Sequence, residues 1–178
     1  MTPLPQPVLT VQPLSAGAFA PFGTLLEQPA TPAKLTRGDI TYWHHTADLA
    51  GLQGSGVTGH LIAHRRDLHV TQIERHHHTP EAFIATQGSS VMIFGAPGPA
   101  DPAALRAFRI DAGQAVLMHP GTWHWAPYPL SDTATFLLVL RAETADHDVE
   151  IVDIPQVRLQ FPSPTTPEHA KPTPGASP

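Results

Sequence analysis

No stretch of this chain keeps a sustained 3.6-residue apolar period. Strands are therefore the elements left to bury its apolar residues. Short β-branched and aromatic runs recur, cut by Gly, Pro, Asp and Ser, which is the punctuation of turns between strands. The expected strands are Val8–Gln12, Thr24–Glu27, Ile40–His45, Val57–Arg65, His69–His78, Glu81–Gln87, Val91–Gly95, Phe108–Asp111, Ala115–Met118, Trp123–Tyr128, Ala134–Arg141 and Glu150–Ile154. Ser15 is placed to cap a short helix over Ala16–Phe22, and Pro102–Arg106 suits one helical turn. So many short strands predict an all-β fold, a closed antiparallel barrel or jelly roll, with no internal repeat and so one barrel rather than two.

The 178 residues suit a single domain, and a chain of that size buries about 70% of its unfolded surface. Residues 1–7 are Pro-rich, and residues 162–178 lack apolar side chains to bury. The expected division is a Pro-rich segment at 1–7, a barrel domain at 8–161 and a flexible Pro-rich tail at 162–178. The formal charge is −5, with no basic run, which argues against nucleic acid or an anionic membrane as a partner. The start lacks the basic and apolar regions of a signal peptide, and Phe136–Leu140 is too short to span a bilayer. A cytoplasmic protein is the expectation. Cysteine is absent, so any transition metal must be held by His, carboxylate or water.

Histidine stands out, with twelve against two lysines. Three sit together in E-R-H-H-H-T-P-E-A-F-I-A-T-Q-G, from Glu74 to Gly88. On an extended strand His76 and His78 would share a face, with His77 turned away. A turn at Thr79-Pro80 would bring Glu81 within reach, and H-P-G-T-W-H-W supplies His119 and His124. Imidazole and carboxylate suit Zn, Ni, Fe or Mn and leave positions open for substrate oxygens. The expected ligands of a divalent metal are His76, His78, Glu81 and His124. Glu81 is also a candidate base. His119 reads as a ligand, a base or a turn residue. Glu74 shares the face of His76, as an orienting partner for a ligand imidazole or as an ordinary ion pair. Arg65, Arg75 and Arg141 are each able to clamp a carboxylate, although a surface ion pair is the commoner role of one arginine. Trp123, Trp125 and Phe83 read as packing residues, and His60 and His64 as surface strand positions.

This pattern resembles the two-part signature of the cupins, whose fold is a jelly-roll barrel. His76, His78, Glu81 and Gly88 match the first part, with the His-to-Glu spacing shortened, and Gly113, Pro120-Gly121 and His124 match the second. More specifically, L-S-A-G-A-F-A-P-F-G-T-L-L-E, I-E-R-H with A-F-I, L-R-A-F-R-I-D-A-G-Q-A-V and G-T-W-H resemble the ureidoglycolate lyase family, from about Val8 to Ile154. The resemblance implies a single-domain cupin with one or two short helices, assembled as a homodimer. It implies a small carboxylate substrate, ureidoglycolate, cleaved to glyoxylate and urea in purine (allantoin) catabolism. Glu74, Arg75, His76, Ala82 and Phe83 match its central motif, and Arg65 and Arg141 match recurrent arginines. On that footing Glu81 and His119 are the candidate bases, and Arg75 and Arg65 the candidate carboxylate holders. The chain has His77, His78 and Thr79 where the family usually has Pro-Leu-Gly, and Thr36-Arg37-Gly38 at its Asn-rich segment. It has Glu81 for a usual Gln, Trp125 for His and Leu140 for Asp. The alternatives are a metal-dependent cupin oxygenase or isomerase acting on another small polar acid, and a non-catalytic ligand-binding cupin.

Overall fold

Period-two runs become strands, and the longest of them gather into two sheets. The computed structural model describes residues 7–163. In chain order these hold β1 (Val8–Pro13), α1 (Ala16–Phe19), β2 (Gly23–Leu25), β3 (Leu35–Arg37), β4 (Ile40–Tyr42), β5 (Gly56–His64), β6 (His69–Arg75) and β7 (Glu81–Gln87). Then come β8 (Ser90–Gly95), β9 (Arg106–Ile110), β10 (Ala115–Met118), β11 (Trp123–His124), β12 (Tyr128–Pro129), β13 (Thr133–Arg141), α2 (Thr144–His147) and β14 (Glu150–Gln160). Single 3-10 turns occupy Ala50–Leu52 and Pro102–Ala104. The segments expected at 1–7 and 162–178 lie outside the described residues, apart from Pro7, Pro162 and Ser163.

Strands β6, β14, β1, β9, β8 and β11 close into a ring, because β11 pairs with both β6 and β8. Strands β2, β10, β7, β13 and β5 form a second, antiparallel sheet. The all-β jelly-roll architecture of a cupin is thus present, with two short helices. It is not purely antiparallel, since β1 runs parallel to both β9 and β14. Val11, Val70, Ile73, Ile93, Trp123 and Val157 pack together from strands of the ring. Phe19, Phe22, Phe83, Phe94, Phe108 and Phe136 pack between the ring and the second sheet. Strand β8 serves both clusters, Val91 and Ile93 to one side and Met92 and Phe94 to the other. That explains why it reads as an unbroken apolar run rather than an alternating one.

Three local departures matter for the site. Strand β6 ends at Arg75, not at His78. Beyond it the amides of His77 and His78 donate to the Asp148 carboxylate instead of a ladder partner. Pro80 then has no N–H to offer. The expected strand Trp123–Tyr128 is divided into β11 and β12, and α2 lies where no helix was expected. Glycine is required at two turns, one at the far end of β7 and one beside the site. Gly88 has φ +75°, and a Cβ there would lie 2.9 Å from the Thr133 carbonyl oxygen. Gly121 has φ +81° and donates its N–H to the His76 carbonyl at 2.6 Å, which ties the turn before His124 to the histidine run. No helix among the described residues is long and apolar enough to cross a membrane.

Candidate active site

Three elements converge at one end of the inter-sheet core. His76 follows β6, Glu81 opens β7 and His124 ends β11. Register does the positioning. Backbone pairing sets His124 opposite Glu74 on β6 and opposite Phe94 on β8, while Glu81 pairs with Met118 on β10. The possible ligand atoms of His76, Glu81 and His124 lie within 4.8 Å of one another, and all three residues are buried. His76 Nε2 is 3.0 Å and His124 Nε2 3.4 Å from Glu81 Oε2.

The far side of each imidazole fixes its tautomer. His76 Nδ1 lies 2.8 Å from the Asp148 carbonyl oxygen, and His124 Nδ1 lies 3.0 Å from that of Thr122. A carbonyl oxygen only accepts, so each Nδ1 carries a proton and donates it. In the neutral rings both Nε2 lone pairs therefore face the Glu81 carboxylate. Acceptors facing acceptors repel unless a cation lies among them, either a proton or a metal ion. His124 Nε2 is buried and finds no hydrogen-bond partner. This donor set fits a divalent transition metal: two imidazoles with outer Nδ1–H bonds, plus a carboxylate.

The electrostatics agree. Burial opposes the Glu81 charge, yet the contacts with His124 and His76 prevail and hold its carboxyl at about 2. Burial likewise opposes protonation of His76, but the hydrogen bond and charge of Glu81, with the Asp148 carbonyl and the Glu74 charge, raise it above 6.5.

A cavity of about 390 Å³ opens onto this group. Glu74, His76 and Glu81 line it, with walls that include Phe83, Leu138 and Leu140. Helix α2 and the residues after it add Thr144, Ala145 and Val149. Glu74 accepts no hydrogen bond from a described residue, and its Oε1 lies 3.7 Å from His124 Nε2.

Other expected site residues stand apart. His78 does not join the group: its side chain is 73% exposed, and its Nδ1 donates to Asp148 Oδ1 at 2.8 Å. The expectation that it shares a face with His76 fails because β6 has already ended. His119 is exposed and outside the cavity lining, so it is a turn residue whose carbonyl accepts from Thr122. Arg75 turns to the opposite face of β6, binding Glu150 at 2.6 Å and the Gly98 carbonyl at 2.7 Å and stacking on Trp123. Arg65 belongs to a separate hollow of about 430 Å³, shared with Arg66, Asp67 and Arg109, which contains none of the three grouped residues. Arg141 approaches Glu143 at 3.5 Å. No arginine lines the cavity among the described residues. His77 is 2.7 Å from Glu150 on the outer surface.

Asp148, Thr79 and Thr144 support the site without having been expected. Asp148 lies in the polar run T-A-D-H-D, 72 residues beyond His76, and only folding brings the two together.

The profile of the family described as ureidoglycolate lyase matches residues 6–160. This chain belongs to the ureidoglycolate lyase family. It is accordingly an enzyme, a lyase. The ureidoglycolate lyase of Azotobacter vinelandii is 31% identical over 145 residues, 76% of this chain and 86% of that one. That of Stutzerimonas stutzeri is 30% identical over 146 residues, 78% and 86% of the two chains. That of Brucella anthropi is 28% identical over 147 residues, with the same coverage. Among solved structures, oxalate decarboxylase of Bacillus subtilis is similar at 17% identity and a TM-score of 0.40, over 57% of this chain and 24% of that one. So slight a likeness bears on nothing below. Within this lyase the family departures divide by place. Glu81 lies in the grouped centre and Leu140 in the cavity wall. His77 and His78 lie outside both.

Proposed function

We propose that the protein cleaves ureidoglycolate to glyoxylate and urea, a step of purine (allantoin) catabolism, with a divalent metal held by His76, Glu81 and His124. The observation that carries the metal reading is the pair of buried imidazoles whose Nδ1 protons are committed to carbonyls while both Nε2 atoms face one carboxylate. Nickel, zinc, manganese and iron all accept that donor set. When bound, such an ion supplies positive charge for the substrate's carboxylate and hydroxyl and lowers the hydroxyl pKa. The absence of arginine from the described cavity lining supports this, because a buried carboxylate needs a cationic partner.

The residues divide the remaining work. Glu81, held at about 2 by its imidazole neighbours, is a poor base and serves as a ligand. Glu74 is the cavity carboxylate without a hydrogen-bonded partner, next to His124. It takes the hydroxyl proton. The O–H electron pair forms the aldehyde C=O, the C–N pair leaves on the urea nitrogen, and Glu74 returns the proton there. Hydroxyl and nitrogen sit on one carbon, so a single carboxylate spans both. Leu138, Leu140 and Phe83 exclude water from one side of the cavity.

The test is an assay of urea and glyoxylate from ureidoglycolate after loading with nickel, zinc, manganese or iron. Equal amounts of both products are expected. No release with any of the four metals would refute the lyase reading. Glu74→Gln should lower kcat by about 10²-fold, the usual size of a lost general base, while metal content stays at the wild-type level. Loss of metal in that variant would make Glu74 a ligand instead.

A further inference from the structure

We propose that Asp148 is the positioning residue of this centre, aiming His76 Nε2 by bonding every residue of the run from His76 to Thr79. This rests on the proposed metal-holding role of His76. The carboxylate accepts from His77 N at 2.9 Å, from His78 N at 3.1 Å, from His78 Nδ1 at 2.8 Å and from Thr79 Oγ1 at 2.9 Å. A carboxylate has about four lone-pair sites, so Asp148 is saturated. Its own carbonyl then accepts the His76 Nδ1 proton at 2.8 Å. One residue therefore fixes the path of the turn and the tautomer of the ligand that begins it.

Asp148 is itself anchored. Its N–H donates to the Thr144 carbonyl at 3.0 Å, closing α2, and Thr144 Oγ1 meets Thr79 Oγ1 at 3.1 Å. Asp148, Thr79 and Thr144 are all buried. Thr144 and Val149 also line the cavity. The wall that substrate touches and the ring that faces the metal position thus share one hydrogen-bonded joint. Beyond β6, where the ladder has ended at Arg75, the Gly121 N–H holds the His76 carbonyl, and Asp148 is the residue that ties His77, His78 and Thr79 together.

The test uses the full-length protein and Asp148→Ala and Asp148→Asn. Two quantities are read: zinc affinity by competition with a chromogenic chelator, and the His76 Nδ1 proton by NMR of ¹⁵N-histidine-labelled, metal-free protein. Wild type is expected to show a slowly exchanging Nδ1 proton on His76. Asp148→Ala keeps the carbonyl that accepts this proton but frees the turn from His77 to Thr79. The proton should therefore exchange faster, and zinc should bind about 10- to 100-fold more weakly, the range for a disturbed outer partner of a ligand. Asp148→Asn, which retains one acceptor oxygen, should fall between, and it takes over the test if the alanine variant does not fold. Variants that melt earlier yet keep wild-type zinc affinity and the protected proton would make Asp148 merely structural and overturn the proposal. If wild type binds no zinc while the proton exchanges faster in the variants, the metal reading falls and the positioning of His76 stands.

Discussion

His124→Ala is expected to remove the metal and with it urea release. The side chain is 1% exposed, and its Nε2 faces Glu81 at 3.4 Å with no hydrogen-bond partner. His78 is turned outward onto Asp148 and His119 is exposed, so neither replaces it, and the Glu74 carboxylate 3.7 Å away supplies no imidazole. Losing a ligand should exceed the 10- to 100-fold cost of losing an outer partner, so the affinity should drop on the order of 10³-fold. The alanine also leaves a void between β6 and β8, with a stability cost of about 2–4 kcal/mol. Metal content after dialysis, urea release and a denaturant titration check these effects. Glu81→Gln gives the residue that the sequence resemblance leads one to expect at this position. Its amide oxygen can still face the metal, so affinity should fall only about tenfold. A His124→Ala protein that keeps full metal and activity would remove His124 from the centre.

Stripping the metal is the second large effect, and its size should depend on pH. The folded pKa of His76 is raised, so its pairing with Glu81 stabilises the metal-free protein fully below 6.5 and is lost as pH rises through the folded value. Glu81 is depressed to about 2 from 4.5. Its share is present above 4.5 and is lost only as pH falls towards 2. In the metal-free protein the pair therefore contributes most between about 4.5 and 6.5. A metal ion needs the His76 Nε2 lone pair, so it gains hold as that proton leaves. With metal at about 1,000 times its Kd, the added stability is about 4 kcal/mol. For a domain of this size that is a Tm increase on the order of 10 °C. The increment should grow with pH from mildly acidic to alkaline buffer and vanish on chelation. Thermal melts with and without chelator across that range give the answer; a metal increment that is constant or shrinks with rising pH would contradict the proton–metal exchange at His76.

Much of the fold was legible because strand signals are local. Glu81–Gln87 and Ala115–Met118 match their expected bounds residue for residue, since Pro80, Gly88, Gly113 and Pro120 punctuate the chain around them. The ends of β6 and β14 were not. Strand β14 runs on to Gln160 because β1 lies parallel beside its far end, a pairing across most of the chain that no local pattern announces. Strand parity misjudged His78 for the same reason: parity holds only while a ladder lasts, and the partner that ends this one is 70 residues away.

His76, Glu81, His124 and the β-rich character followed from residue type and spacing alone, because metal ligation needs particular atoms and strands need period-two patterns. Direction was decided by the tertiary structure. It turned Arg75 onto Glu150 and Trp123, left Arg65 in another hollow, set Glu74 facing the cavity and brought Asp148 to the histidine run. A side chain's direction depends on which face its backbone presents and what waits there to accept its hydrogen bonds. Both are settled by strands and loops distant in sequence, so His76, Glu81 and His124 could be picked out from the chain as candidates, while the exclusion of His78 and the arrangement that aims the three could not.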